Sequence, residues 1–294
     1  MAKKSKAISN AKKSRASKSR TRKSAVRPQS QRICNVEPSR NTQNDWSFEN
    51  AVAARALGAP GAAAAPLAAP VSVDLRAPWW GIGNQETTGS CVGWASADGL
   101  ARYHFVRAGR LAQNAKLSPR FVWMASKETD EFVNRPETMI EGAGTSLKAS
   151  LDILRRYGAV PETLLPFKIA TNLYLGNENA FFATAASRRI ASYFNLQKNL
   201  AAWRNWLAAE GPLLVALNVD ATWDNATATN GNLNTFQPAT TRGGHAVCVV
   251  GYTAANRFIV RNSWGTAWGD RGFAYASESY INAAFFNESY GIRI

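Results

Sequence analysis

The stretch HAVCVVGYTAANRFIVRNSW, residues 245–264, constrains the fold of this chain more than any other. Two apolar, β-type runs, 245–251 and 257–263, are separated by turn-type residues that include Asn256, the pattern of an antiparallel hairpin. A turn centred between Thr253 and Ala254 pairs Val249 with Phe258, Val247 with Val260 and His245 with Asn262, all on one face. Facing side chains on adjacent strands start about 5 Å apart at Cβ, within reach of a hydrogen bond from an imidazole N–H to an amide oxygen. Such a bond holds the tautomer and ring plane of the histidine. A lone buried histidine is most often just satisfied by a neighbour. Here the polar pair stands at the open end of an apolar hairpin, followed by Trp264 and a glycine-rich turn, which favours a functional role.

A histidine held in this way needs a nucleophile. Cys91 opens the helical run 91–106 directly after the loop GNQETTGS. Free backbone N–H groups and the helix dipole favour negative charge there, and a neighbouring imidazolium lowers a thiol's pKa further. The thiolate would attack a carbonyl carbon, with the oxyanion received by backbone N–H groups and a side-chain amide. Gln85, six residues earlier on the incoming loop, can supply that amide. Of the other two cysteines, Cys34 and Cys248 are read as inert thiols, Cys248 pointing to the hairpin face opposite His245. His104, within the first helix, is read as structural.

The formal charge of +15 points at first to a polyanion binder, but residues 1–33 carry 12 of the 35 Lys and Arg and no acid. The remaining 23 basic and 20 acidic residues leave +3 for everything after. Residues 1–33 are therefore expected to be a disordered basic tail, a solvated arm or one that rides on nucleic acid or an anionic surface. The tail also resembles an organelle transit peptide. Three cysteines in unrelated contexts describe no disulfide framework and suit a reducing compartment. No apolar run is long enough for a transmembrane segment, and no secretory signal is recognised. The expected location is intracellular, in the cytoplasm.

Residues 34–70 read as a short mixed segment followed by an Ala/Pro linker, APGAAAAPLAAP, which places the main boundary before a domain at 71–294. Helical patterns dominate the first half of that domain: 91–106, a helix behind Ser118 and Pro119, and 145–157 ending at Gly158. A short helix stopped by Gly211 and Pro212 precedes the strand LLVALNVD, and strand signals dominate from there. Helices first and strands later imply an α+β fold of two lobes with a cleft between them.

These residues resemble the papain-like (C1) cysteine peptidases, of the bacterial type and without the usual long propeptide. VDLR (73–76) is similar to the family's mature amino-terminal strand. GNQETTGSCVGWAS resembles its oxyanion and nucleophile loop, GGHAVCVVGY its histidine strand, and RNSWGTAWGDRGFAYAS its asparagine strand. LSPRFVW, the Gly144–Thr145–Ser146 helix start and GPLLVAL look like further family segments in order. The resemblance implies a helical L-domain carrying Cys91, a β-sheet or barrel R-domain carrying His245 and Asn262, and the active-site cleft between them. It implies peptide or protein substrates, hydrolysis through a thioester, Trp264 shielding the His245–Asn262 bond, and no metal or organic cofactor. Gly142 or Gly144 is a candidate for backbone pairing with a bound peptide.

Departures from the family are also legible. Thr88 stands where the family has a disulfide-forming cysteine, and Val92 where it has an aromatic; either Trp94 replaces that packing or this wall of the cleft differs. Asn262 follows Cys91 by 171 residues, so insertions are expected, with 173–192 and 225–243 as candidates. Residues 35–58 are expected to lie in or near the cleft and to be removed or displaced on activation. Three other functions compete: a catalytically silent binding module, an acyl transferase or deamidase using the same Cys-His-Asn site, and a nucleic-acid binder acting through the tail.

Overall fold

The structure is a computed structural model that describes residues 32–54, 69–130, 136–168 and 174–294. The Ala/Pro linker, except Ala69 and Pro70, and the basic tail, except Arg32 and Ile33, lie outside the described residues.

One long helix runs through the middle of the protein. It begins as α2 (Cys91–Gly93), is π-wound over Trp94–Ala101 and continues as α3 (Arg102–Arg107). Every residue from Cys91 to Tyr103 is buried, so this helix is covered on all sides. Helix α1 (Phe48–Ala53) precedes it in the chain. On one side lie α4 (Pro119–Thr129) and α5 (Leu147–Arg156). The expected caps are present: Ser118 Oγ accepts from the N–H of Phe121 at 3.0 Å and Ser146 Oγ from that of Ala149 at 3.3 Å. Gly158, at φ +89°, lies just beyond the end of α5, where a side chain would be strained.

The other side of the central helix is a sheet. Its strands are β1 (Val73–Asp74), β2 (Ser192–Asn195), β3 (Leu213–Val219), β4 (Asn232–Leu233), β5 (Gly243–Tyr252), β6 (Arg257–Arg261), β7 (Phe273–Ser277) and β8 (Phe285–Arg293). The order is β2-β8-β3-β5-β6-β7-β4, with β1 on β5, and only β4 and β7 pair in parallel. The alternative of a closed barrel does not hold for the described strands. The end strands β2 and β4 are four and two residues long and do not meet, so the sheet stays open. Side chains alternate across it. Leu214, Ala216, Ala246, Cys248 and Val250 pack toward the central helix. Leu213, Val215, Leu217, Val247 and Val249 pack beneath Trp203 and Trp206 of α7 (Leu200–Ala209) and Tyr280 and Ile281 of α9 (Glu278–Ala284). Of the two insertion candidates, 173–192 contains α6 (Glu178–Ala186), and 225–243 follows α8 (Ala221–Asp224) and contains β4.

The β5–β6 hairpin forms, but its register corrects the expected pairing. Val249 faces Val260 and Cys248 faces Arg261, two positions from the pairing read off the sequence. The turn lies later, at Thr253–Asn256, where Asn256 has φ +56° and Thr253 N–H donates to Arg257 O at 2.9 Å. An extra residue bulges from β5 between Val249 and Tyr252. Gly251 sits there at φ +153°, and β1 crosses so closely that a Cβ would come within 2.1 Å of the Val73 carbonyl oxygen. A shift of two residues keeps the side chains up to the bulge on their expected faces, while Tyr252 beyond it joins the face of Val247 and Val249.

A buried ion cluster ties helix to sheet. Asp98 of the central helix binds Arg102 at 3.0 Å and Arg261 of β6 at 2.7 Å, all with side chains 3% exposed. Arg261 also donates to Gly81 O and lies 4.8 Å from the Trp80 ring, whose Nε1 donates to Asp98 O. Removing the carboxylate leaves two buried guanidiniums uncompensated. Asp98→Ala is therefore expected to cost about 3–5 kcal/mol of stability, read as a large fall in Tm by calorimetry.

Candidate active site

The end of β5 and the residues after β6 bring the expected pair together. His245 Nε2 and Asn262 Oδ1 are 2.7 Å apart, and both residues are fully buried. The two are diagonal rather than directly opposed, because of the shifted register, yet the same face still carries both. Asn262 Oδ1 also accepts from the N–H of Ser263 at 2.7 Å. His245 Nδ1, the other ring nitrogen, has no hydrogen-bond partner among the described residues. Trp264 covers the pair with its ring centroid 4.8 Å from the imidazole. Trp223 stands edge-on at 5.6 Å and is itself stacked on Trp268 at 5.3 Å. Trp223 was not singled out by the sequence, since no motif or period marks it; only the fold brings it to His245.

Cys91 lies at the first turn of the central helix and is fully buried. Backbone N–H groups of Ala246, Val92, Cys91 and Asn35 are directed at its sulfur. Ala246 is the neighbour of His245, so the thiol lies beside the strand that carries the imidazole. Gln85 is fully buried and well oriented. Its Oε1 accepts from Ser263 Oγ at 2.9 Å, its backbone N–H donates to Ser263 O at 2.8 Å, and its Nε2 donates to Thr88 O at 3.1 Å. Gln85, Ser263, Asn262 and His245 thus form one hydrogen-bonded chain. Ser263 was missed by sequence reasoning, although it stands next to Asn262. Where the family disulfide would anchor the loop, Thr88 Oγ1 donates to Gln85 O and lies 2.7 Å from Ser90 Oγ. Trp94 packs edge-on against Phe167 at 5.0 Å and lies over Gly83, where a Cβ would be 2.0 Å from its ring.

Residues 32–54 form a strap across this cleft. Arg32 donates to Asn84 Oδ1 at 2.7 Å and Glu86 O at 2.8 Å, and Gln85 Nε2 donates to Ile33 O at 3.3 Å. Val36 N–H donates to Gly244 O at 3.0 Å and Glu37 N–H to Thr145 O at 3.1 Å. Gly144 leaves room for the Asn35 backbone, whose oxygen would lie 1.9 Å from a Cβ there. The strap pairs its backbone with the next residue's carbonyl, that of Thr145. Further along, Ser39 Oγ donates to the buried Glu288 at 2.7 Å, and Asp45 binds Lys148 at 2.6 Å and Tyr290 OH at 2.7 Å. α1 then packs Phe48 edge-on against Trp206 at 5.7 Å.

The amide N–H of Asn35 faces the Cys91 sulfur. The carbonyl of that peptide unit points instead at Gly243, 2.2 Å from where a Cβ would be, while Gln85 holds the preceding carbonyl. The strap also excludes water. Burial pushes the Cys91 thiol up to about 11, against the pull of the surrounding N–H groups, and pushes His245 down to about 4, against its bond to Asn262. The lowered thiol pKa expected from helix position is therefore not the property of the strapped state. His104 is likewise pushed down to about 4 by burial and serves packing against Gly211. Cys248 packs inertly, its sulfur 3.0 Å from Ala95 O.

Among the described residues no group of three or more His, Cys, Asp or Glu side chains is placed to hold a metal, and no helix is long and apolar enough to cross a membrane.

Residues 69–290 match a family model described as papain family cysteine protease, and the chain belongs to that family. It is 23% identical over 211 residues to Cysteine proteinase 1 of Dictyostelium discoideum, covering 66% of this chain and 56% of that protein. It is 27% identical over 213 residues to Cathepsin J of Mus musculus, covering 68% and 58%. The chain thus spans little more than half the length of these relatives. Among solved structures it is similar to Xylellain, a cysteine protease from Xylella fastidiosa, with TM-score 0.69 and 21% identity over 90% of this chain and 96% of that one. It is also similar to proCathepsin B S9 from Trypanosoma congolense, with TM-score 0.63 and 15% identity over 90% and 87%. These likenesses establish the papain-like fold.

Three outcomes are expected from this geometry. With the thiol raised and the imidazole lowered, the strapped pair stays neutral between about pH 4 and about pH 11. Removing the strap rehydrates both groups and lets the proton pass from sulfur to ring. Thiolate ultraviolet absorbance, taken as a difference against Cys91→Ser, is expected to be absent from the full chain at pH 7–9 (roughly neutral to mildly alkaline) and present there in a chain lacking residues 1–68. In that shorter chain, Gln85→Ala is expected to lower kcat for peptide hydrolysis about 100-fold, and Ser263→Ala about tenfold with little change in KM.

Proposed function

We propose that this chain is a cysteine-type peptidase held inactive by its own strap. The observation that carries this reading is the hydrogen-bonded chain from Gln85 through Ser263 and Asn262 to His245, gathered around a cysteine at a helix start. Once the strap leaves, Asn262 holds the imidazole through Nε2 and leaves Nδ1 to take the proton of Cys91. The thiolate attacks the scissile carbonyl carbon of a peptide. The oxygen, now negative, receives N–H bonds from Gln85 Nε2 and from the backbone at Cys91. The imidazolium then protonates the leaving amine, and a thioester remains on Cys91. Water, deprotonated by His245, attacks the thioester and frees the acid product. No step calls for a metal or organic cofactor.

Residues 34–70 act in this scheme as the inhibitory segment and its linker, 71–294 as the peptidase domain, and 1–33 as a basic arm suited to anionic surfaces. The contacts of residues 36–54 with Thr145, Glu288 and Lys148 support that division, while Arg32 and Ile33, the last two residues of the arm, are seated with the inhibitory segment on Asn84, Glu86 and Gln85.

The test compares hydrolysis of a fluorogenic peptide library by the full chain and by a chain lacking residues 1–68. The shorter chain is expected to be at least about 100-fold faster, the loss that uncovering an occupied site would reverse, and Cys91→Ala in it is expected to be inactive. Equal rates from both lengths would remove the inhibitory role. Hydrolysis that survives Cys91→Ala would remove the mechanism.

A further inference from the structure

Arg32 of the strap occupies a seat built by residues beside the catalytic pair. Its Nη1 donates to Asn84 Oδ1 at 2.7 Å and to Glu86 O at 2.8 Å, and its Nη2 to Trp264 O at 3.3 Å. The three acceptors are held by one another rather than by the strap. Asn84 Oδ1 also accepts from the N–H of Glu86 at 3.0 Å, which turns the amide oxygen, not its nitrogen, toward the guanidinium. Glu86 has φ +55°, a left-handed conformation that is uncommon for a residue with a side chain and is often retained at binding sites. Gly265 N–H donates to Gly83 O at 2.9 Å and Gln85 N–H to Ser263 O at 2.8 Å, so Asn84 and Trp264 face each other across an antiparallel bridge. Departure of the strap therefore leaves three oriented oxygens without the cation they hold. The Glu86 carboxylate, which also binds Lys168 at 2.6 Å, adds attraction for a positive charge.

The seat adjoins the reacting groups. In chain order the strap meets Gln85 Nε2 through the Ile33 carbonyl, the Cys91 sulfur through the Asn35 N–H, and then Gly244 and Thr145. Arg32 stands at the Gln85 end of that line. Trp264, whose carbonyl forms one edge of the seat, covers His245, and the Arg32 charge is near enough to oppose protonation of that imidazole. Because His245 protonates the leaving amine, the seat lies on the amine side of the scissile bond.

We propose that this seat is a substrate subsite that takes an arginine side chain on the leaving-amine side of the cleaved bond, and that Arg32 fills it in the strapped chain; this rests on the reading of the chain as a peptidase. A guanidinium suits the seat better than an ammonium. Its planar fork reaches the three oxygens from two nitrogens, whereas an ammonium must bring a single nitrogen within reach of all of them. A neutral side chain of the same shape loses the charge that strengthens these bonds. Arg32 is half-buried in the seat, so water competes for the same oxygens and the preference is moderate in size.

The experiment has two arms. In the first, the full chain is folded intact, cut within 55–68 and freed of its strap, and the products of a peptide library are sequenced on both sides of the cleaved bond. Arginine is expected near the bond on the amine side, preferred over alanine about tenfold or more, with lysine and the uncharged isostere citrulline below it. Asn84→Ala is expected to remove most of that preference and Asn84→Asp to retain it. The comparison of arginine with citrulline decides even if Asn84→Ala fails to fold. Equal use of arginine, citrulline and alanine at every amine-side position overturns the proposal. The second arm needs no turnover. The full chain carrying Arg32→Ala is titrated with N-acetylarginine amide while the Asn84 side-chain amide is followed by NMR. A saturable shift is expected, half-complete in the millimolar range, that N-acetylcitrulline amide does not produce and that the unsubstituted chain, its seat filled, does not show. Absence of that shift overturns the proposal whether or not peptides are cleaved. A shift without hydrolysis of any peptide sinks the peptidase reading and leaves a guanidinium seat, whereas hydrolysis without arginine dependence sinks this inference alone.

Discussion

The carboxylate of Asp98 is shared by two guanidiniums, Arg102 within its own helix and Arg261 on strand β6, with all three side chains removed from water. A charge in that position is tolerable only if both partners stay in place, so the cluster fixes helix against strand. The consequence reaches the site directly. Cys91 stands two turns before Asp98 on the helix, and Asn262 follows Arg261 in the chain. The ion cluster and the apolar layer around it therefore set the relative position of thiol and amide, and the hairpin adds the histidine. Ser263 extends the arrangement to Gln85, so that four side chains from three parts of the chain share one network.

Strap and site oppose each other in electrostatic terms. A thiol and an imidazole form an ion pair when water or peptide dipoles support the charges, and remain neutral when they do not. Residues 32–37 replace that water with a peptide backbone whose Asn35 N–H lies on the sulfur and whose Ile33 carbonyl occupies the Gln85 amide. Burial holds the thiol and the imidazole in their neutral forms. Ser39, Asp45 and Phe48 spread the anchoring over Glu288, Lys148, Tyr290 and Trp206, so the strap does not depend on its contacts at the nucleophile alone.

Much of this was legible before any fold was known, and the misses are instructive. The His245–Asn262 hydrogen bond was inferred from a directly opposed pair, while the protein makes it diagonally across a register two residues away. The inference survived because strand side chains alternate with period two, so a slip of two preserves the face. The bulge at Gly251 was invisible because its cause is the crossing of β1 from a distant part of the chain. Trp223 and Ser263 carry no pattern that marks them, and the lowered thiol pKa expected at a helix start was reversed by burial under the strap.

The amino-acid sequence by itself determined the elements and their faces: capped helices behind Ser118 and Ser146, the apolar hairpin, and the order in which Gln85, Cys91, His245 and Asn262 occur. Those follow from local rules of capping, periodicity and helix-start electrostatics, which need no distant neighbour. Only the tertiary structure decided how far the sheet closes, which register the hairpin takes, where the strap runs and whether the thiol is charged. Each of these depends on what packs against what and on how much water is left, quantities set by residues far apart in the chain.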